Sequence, residues 1–500
     1  MKKFIIKNKI IFFCFFVALL TLYFCSKNSP HYPMNDWVDV NAFFTMARSW
    51  LHGIIPYKDL FEQKGPVLYL IYMIGAIITS KSFLGVFIVE VVFYTTFAYL
   101  IGKISDLYLK KEFKYIIIPL ILTFIASSTA FAHGGSAEEF ILPMITLFLY
   151  NILKFFKEKK LSRKNLILLG VVAGLIALTK YTLLGLPFIF MASVFFIYVF
   201  EKEYKKAIMN CIYFLIGMSF PIIIILGYFL LTHALTEFIQ EYILINIKYY
   251  GESYTLIERF GKMGKILYDI ISKNQIYIYL LLITNILLLF TKVILKTIKE
   301  KIIYALMISF TVLGIYWGCK IYPYYFLEIE LFLILPIIYI FKLVENKIKF
   351  NKFNKVLTIA LVLIISIINI NSFQYKSFSK VKKKDLVQYK FAKIMNKEKN
   401  PTLLNYQVLD SGFYYMANID PTVFAFEAQN ISYYKYPYVA DNQNIAILEG
   451  KIKFVMIRTS NGIKDIPEFV YDNYEIKAVE KQEFEYVNFT YILLKKIEEK

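Results

Sequence analysis

The chain is a succession of apolar blocks, each close to the length that crosses a bilayer. A span takes about 20 apolar residues, with about 17 as the lower end. Blocks of this kind occupy 10–25, 83–102, 115–132, 140–156, 165–179, 183–200, 207–231, 276–291, 302–319, 325–341 and 355–371. The expected fold class is therefore a polytopic α-helical membrane protein with about eleven transmembrane helices. Composition agrees, since 58% of the 500 residues are hydrophobic, against about 45–50% in soluble globular chains. A soluble enzyme, a disordered chain and a fibrous repeat are excluded.

The formal net charge of +20 would suit a nucleic-acid binder, but its distribution argues otherwise. Residues 372–500 hold 19 Lys+Arg against 16 Asp+Glu, so most of the excess lies in short loops between the apolar blocks. One more apolar block, 66–79, decides the threading. As a span it would put the loop with Lys103, Lys110, Lys111 and Lys114 outside and invert every later loop. As a short helix dipping into the outer interface it leaves 26 basic and 7 acidic residues in the cytoplasmic segments and their span ends. The outer segments of 1–371 then hold 12 and 11. The positive-inside rule selects this second threading. The N-terminus is cytoplasmic, with the first block an uncleaved span. Outside lie a first loop (26–82), a small acidic loop (133–139), a second long loop (232–275) and the tail.

Two domains are expected: a transmembrane domain over 1–371 and a small extracytoplasmic α/β domain over 372–500. The tail carries β-rich runs at Pro401–Val408, Thr422–Phe426, Ile445–Leu448, Phe454–Ile457, Tyr474–Val479 and Phe489–Leu494. Asp410-Ser411-Gly412 and Ser460-Asn461-Gly462 are turn signals. Cys14, Cys25, Cys211 and Cys319 lie in or beside apolar blocks and show no metal-ligand or disulfide spacing. The sequence has no P-loop, no GxSxG, no HExxH and no dinucleotide-binding glycine fingerprint.

The first outer loop holds the densest chemistry. Asp36 or Asp39 is placed to cap a helix. Phe43, Phe44, Ala47, Trp50 and Leu51 share one face of it, and Gly53 stands at its end. The spacing predicts an amphipathic helix lying in the outer interface. The plainer reading makes Asp39 a cap, Asp36 a turn residue, and Tyr57 and Phe61 interface anchors.

The run Asp39-x-x-x-Phe43-x-x-x-Ala47-Arg48-x-x-x-x-Gly53, then Pro56-Tyr57-x-Asp59, then Lys64-Gly65-Pro66 resembles the first outer loop of GT-C-fold glycosyltransferases. These polyprenyl-phosphate-sugar-dependent membrane enzymes include protein O-mannosyltransferase-like, aminoarabinose-transferase-like and oligosaccharyltransferase catalytic subunits. The resemblance implies that Asp39 is the catalytic base and that the donor is a polyprenyl-phosphate sugar. It also implies that the acidic loop His133–Glu139 supplies carboxylates near the donor phosphate. Glu138 and Glu139 then become candidates for a divalent cation, Mg2+ or Mn2+, although this chain has Glu where an Asp-rich pattern is common.

Charge and position add Asp36, Arg48, Asp59, Lys64, Lys180, Lys320 and Tyr322 as candidate donor-phosphate or substrate contacts. For Lys180 and Lys320 the plainer reading is snorkelling at the interface. For Glu139 it is a helix first turn. Glu90, Glu328 and Glu330 are carboxylates inside apolar blocks, a costly placement that raises a functional question. The expected activity is inverting sugar transfer to an extracytoplasmic glycan, lipid or protein, in the cell membrane, with no nucleic-acid partner. The rivals are a transporter or flippase of a lipid-linked glycan, a glycan polymerase or ligase, and a structural membrane protein.

Overall fold

A computed structural model describes residues 8–251, 254–273, 276–345, 352–485 and 487–498. Among these, four helical runs are long and apolar enough to cross a membrane: Leu84–Tyr108, Ala137–Glu158, Arg163–Phe200 and Tyr204–Leu231. They contain five of the expected blocks, because 165–179 and 183–200 join in one run of 38 residues. That run is not one straight helix. Its α-helix ends at Lys180, where the backbone is extended (φ −157°, ψ 93°), and a 3-10 turn Tyr181–Leu184 leads into the helix Gly185–Phe200. Shorter apolar helices include Lys9–Cys25, Lys114–Ser127, Leu281–Phe290 and Val356–Asn371.

The chain forms two compact units that cut across its linear order. The first comprises Met1–Ser26, Glu90–Ile225 and Glu252–Lys376; the second comprises Lys27–Val89, Leu226–Gly251 and Ser377–Lys500. The tail therefore folds in one unit with the first outer loop and part of the second long loop.

The first unit is built from the apolar helices. Small residues let backbones approach closely, as is usual where helices pack in lipid. Helices Arg163–Lys180 and Tyr204–Leu231 meet through reciprocal glycines. A Cβ on Gly170 would lie 2.0 Å from the Phe214 carbonyl oxygen, and one on Gly217 would lie 2.1 Å from that of Ile167.

The second unit joins helices to a four-stranded sheet, with strands β1 (Leu403–Asn405), β2 (Phe454–Thr459), β3 (Tyr474–Phe484) and β4 (Val487–Lys496). The strand order is β1-β2-β4-β3, with β1 parallel to β2 and the other pairings antiparallel. Leu404, Val455, Ile457, Ile492 and Leu494 form a core with Ala446 and Ile447. Two expected strands do not form. Ile445–Leu448 is the last turn of the helix Tyr438–Leu448, where Ala446 and Ile447 are buried while Ile445 and Leu448 face out. Thr422–Phe426 is irregular, its Phe424 carbonyl accepting the Phe61 N–H at 2.8 Å.

The helix Pro66–Ile78 has 13 residues, about 20 Å at 1.5 Å per residue, well short of a hydrocarbon core of about 30 Å. Its first turns are buried, while Ile74, Ile77 and Ile78 are exposed near its end.

The helix Val38–Leu51 departs most from expectation. It is not a surface amphipath: every residue from Val38 to Ser49 is buried except Asp39. Its polar residues Asn41, Thr45 and Arg48 are buried as fully as its phenylalanines. The interface-helix reading counted one apolar face; polar partners elsewhere in the unit cover the other.

The glycine contact between the two spans gives a direct test. Gly170→Ala should lower stability by about 1–3 kcal/mol through overpacking, read as a lower melting temperature of the full chain in detergent. An unchanged melting temperature would mean the two helices do not meet there.

Candidate active site

The candidate residues fall into two groups, one in each unit. In the second unit, the start of the helix Val38–Leu51 is held by asparagines rather than aspartates. The Asn35 side chain accepts the Trp37 N–H at 3.0 Å, and the Asn41 amide donates to the carbonyls of Asn35 (3.0 Å) and Trp37 (2.8 Å). Trp37 is the N-cap residue, so neither Asp36 nor Asp39 caps the helix. Asp39 stands in the first turn, where the helix dipole favours a carboxylate.

Asp36 is engaged elsewhere. Its carboxylate pairs with the Lys27 ammonium at 2.6 Å, both groups buried, and Lys27 also lies 4.4 Å from the centre of the Phe378 ring. Burial pulls the Lys27 ammonium below its ordinary range, and Asp36 opposes that pull. Removing one member of such a pair leaves the other charge stranded, at about 3–5 kcal/mol.

Arg48 is also turned inward. Its guanidinium donates to the Tyr414 carbonyl at 3.2 Å and to the Ile419 carbonyl, and it lies 3.4 Å from Asp420. Burial lowers its proton affinity, with Asp420 the first opposing charge. The geometry makes it a tie between the helix and residues 414–420 rather than an open anion contact. Asp420 also meets His52 Nδ1 at 2.6 Å.

The Pro56-Tyr57-x-Asp59 and Lys64-Gly65-Pro66 motifs fold as one turn. Asp59 accepts the Ile55 N–H at 2.7 Å, so this exposed carboxylate closes the loop. Tyr57, at φ 70°, is fully buried, and its hydroxyl donates to the Lys64 carbonyl at 2.6 Å. Gly65 and Pro66 then open the helix Pro66–Ile78, with proline at a position that needs no N–H. Lys64 is half-buried, its ammonium 5.9 Å from the centre of the Phe43 ring.

Beside this turn lies an acidic pair that the sequence did not single out as a pair. The Glu62 carboxylate accepts the Tyr69 hydroxyl, and the Glu62 N–H is bonded to Glu241. Glu241 lies in a π-helix, Ile239–Tyr250, and is only 4% exposed. Burial, with a further push from Glu62 and Glu237, raises its carboxyl to about 10.

The second group lies in the first unit. Ser136 caps the helix Ala137–Glu158 by accepting the Glu139 N–H at 3.0 Å, and Glu139 reaches back to accept the Gly135 N–H at 2.6 Å. Glu139 thus serves the helix start, in the manner of a capping box. Glu138 instead pairs with Lys180, whose ammonium also lies 3.7 Å from the centre of the Tyr325 ring. Tyr325 packs against Tyr322 and Tyr324 with ring centres 5.3 and 5.1 Å away. Tyr322 is thereby brought to the Glu138–Lys180 pair, and Lys320 is half-buried two residues before it. Glu328 is fully buried in the same cluster, within the fields of Glu138 and Lys180. Glu330 accepts from Ser128 at 3.0 Å, and Glu90 from Ser26 at 2.9 Å.

This donor set does not fit a divalent cation. Glu138 is held by Lys180 and Glu139 by a backbone N–H. Among the described residues no group of three or more His, Cys, Asp or Glu is arranged to hold a metal ion. The expectation of Mg2+ or Mn2+ on Glu138 and Glu139 is not met by this geometry.

Sequence reading missed Lys27, Glu241, Asp410 and Glu427 as members of the polar interior. One signal was present: Asn41, Thr45 and Arg48 are spaced four and three residues apart, a polar stripe in an otherwise apolar helix. Glu427 and Glu241 carry no local pattern.

The Glu241 carboxyl yields a signed pH dependence. It keeps its proton in the folded chain up to about pH 10, whereas the unfolded chain releases it near pH 4.3. Between these values stability falls as pH rises. Glu241→Gln should therefore melt above the parent at pH 8, with the gap closing towards pH 4. A gap of constant size would contradict the buried neutral carboxyl.

No protein-family model matches the sequence, and no curated protein matches it. Solved structures do. ArnT from Cupriavidus metallidurans bound to undecaprenyl phosphate aligns with a TM-score of 0.58 at 11% identity, over 97% of this chain and 98% of that one. Its apo state aligns at 0.55 and 9% identity, over 95% of each. The archaeal oligosaccharyltransferase AglB from Archaeoglobus fulgidus, in complex with an inhibitory peptide and a dolichol-phosphate, aligns at 0.51 and 11% identity, over 91% of this chain and 70% of that one. At such identities the likeness speaks to fold, and it extends over nearly the whole length of ArnT. With its apolar helices, its loop 26–82 and its small tail sheet, the chain is an integral membrane protein with the GT-C fold.

Proposed function

We propose that this protein is a membrane glycosyltransferase that moves a sugar from a polyprenyl-phosphate carrier to an acceptor outside the cytoplasmic membrane. The observation that carries the reading is the place of Asp39, half-buried in the first turn of its helix. In a helix buried from Val38 to Ser49, it alone keeps access to solvent, while Asp36 is tied to Lys27. Access is what a general base needs, since it must reach the acceptor hydroxyl. The binding of polyprenyl phosphates by proteins of the same fold supports the donor class.

In this reading the Asp39 carboxylate takes the proton from an acceptor hydroxyl as its oxygen attacks the anomeric carbon. The bond from that carbon to the phosphate oxygen breaks, and the lipid phosphate leaves with the electron pair. One displacement inverts the configuration. Lipid phosphate is already a good leaving group, so positioning and charge neutralisation supply the rest. Lys64, Lys180, Lys320 and Tyr322 are the proposed phosphate contacts, with Glu138 holding Lys180 until the donor arrives. Arg48, Asp36 and Asp59 act by holding the first loop in shape. The N-terminus lies in the cytoplasm and the tail from residue 372 outside, following the positive-inside rule. The helix Pro66–Ile78 dips into the outer interface through Ile74, Ile77 and Ile78.

The test uses membranes carrying the full chain, charged with radiolabelled undecaprenyl-phosphate hexoses and pentoses and scored for label leaving the lipid phase. One donor should turn over, and Asp39→Asn should slow that turnover by about 10²–10⁴-fold. Unchanged transfer by Asp39→Asn would remove the base assignment. Movement of label across reconstituted vesicles without a glycan product would favour a flippase.

A further inference from the structure

Helix Val38–Leu51 is tied to the C-terminal segment by a run of hydrogen bonds that passes through side chains and the Asp410 backbone N–H. The Thr45 hydroxyl donates to Asp410 Oδ2 at 2.7 Å. Asp410 is fully buried, and its other oxygen accepts the Gly412 N–H at 2.9 Å and the Asn405 amide at 3.2 Å. Behind it, Glu427 is 2% exposed. Glu427 Oε2 accepts the Asp410 N–H at 2.5 Å, and its Oε1 accepts the Gln429 amide at 3.4 Å. Gln429 in turn accepts from the Gln63 amide at 3.0 Å. Gln63 directly precedes Lys64, and its carbonyl takes the Asn246 amide at 2.8 Å. The run therefore begins on the helix that carries Asp39 and ends on the turn that carries Lys64.

Two buried carboxyls side by side are a costly way to join segments, because each loses its hydration. An apolar pair of the same volume would pack without that cost. What carboxyls add is direction. Asp410 receives three aimed bonds, so a rotation of the helix about its axis would break the bond from Thr45. Burial raises the proton affinity of both groups, most strongly at Glu427, which also feels the charges of Asp410, Glu62 and Asp39. At Asp410 the three donors and the Arg48 charge oppose that rise and favour the ionised form.

We infer that Asp410 and Glu427 are positioning residues that fix the Asp39 helix against the Lys64 turn through the Thr45–Asp410–Glu427–Gln429–Gln63 chain. The inference rests on the reading of Asp39 as the base and Lys64 as a phosphate contact. Misplacing a reacting group by about 1 Å can cost about 100-fold in rate, and a loosened clamp leaves donor binding to the other lysines.

The test measures kcat and donor KM for purified full-length chain with the undecaprenyl-phosphate sugar that turns over, counting only the monodisperse folded fraction. Thr45→Val removes one hydroxyl and keeps the shape; Asp410→Ala removes the carboxylate; Asp410→Asn keeps an acceptor oxygen. Thr45→Val and Asp410→Ala should each lower kcat by about tenfold or more with KM within about threefold, as expected for lost orientation rather than lost binding. Asp410→Asn should recover part of the loss. Wild-type kcat in Thr45→Val and Asp410→Asn, or a rise in KM that accounts for the whole effect, would overturn the clamp. An inactive Asp39→Asn beside a fully active Thr45→Val would remove the clamp alone, whereas an active Asp39→Asn would remove the underlying reading.

Discussion

The second unit depends on the burial of a polar stripe. Asn41, Thr45 and Arg48 lie on a helix that has lost almost all contact with solvent, and unpartnered polar groups there would each be expensive. Each of the three side chains makes at least one hydrogen bond. Asn41 closes the helix start onto the Asn35 and Trp37 carbonyls, Thr45 reaches Asp410, and Arg48 reaches the Tyr414 and Ile419 carbonyls. Two of the three partners come from residues more than 360 positions away. The first loop and the tail are therefore folded on each other within one unit.

This has a consequence for the proposed chemistry. A base is effective when it is held still and yet open. Asp39 is placed in the first turn of a helix that is clamped along its polar side, while the residue itself stays half-buried rather than buried. The tail, which by sequence looks like a separate recognition module, is part of what holds the proposed base. Near it, Tyr57 and Glu62 hold the Lys64 turn through bonds to the Lys64 carbonyl and N–H.

The first unit follows a different physical rule. In lipid, polar groups have few partners, so they gather. Glu138 and Lys180 pair, Glu330 takes Ser128, Glu90 takes Ser26, and Lys180 rests on a tyrosine ring. Lys180 sits where one long apolar run breaks into an extended residue and a 3-10 turn. That break frees its side chain from a regular helical direction. Glu139, adjacent to Glu138, has the ordinary task of closing a helix start, which separates two carboxylates that looked equivalent in sequence.

The sequence by itself determined the membrane character, because apolar runs of bilayer length leave the backbone no alternative to helix. It also determined the helix that Gly53 follows in the first loop and the β-rich tail, since these follow from local periodicity and from what proline and glycine permit. Its local signals misjudged Ile445–Leu448, a helical turn with strand-like composition, and the caps at Asp36 and Asp39, where asparagines stand instead. The folded structure decided which charges are engaged, and with what. Arg48, Asp36 and Asp59 read as open candidates, and long-range or loop contacts occupied each one. Asp410 read as a turn and Glu427 as nothing in particular, yet both lie at the centre of the second unit. The reason is physical: a local pattern states which groups are polar, but a buried polar group is defined by its partner, and for Thr45 and Arg48 the partners lie more than 360 residues away.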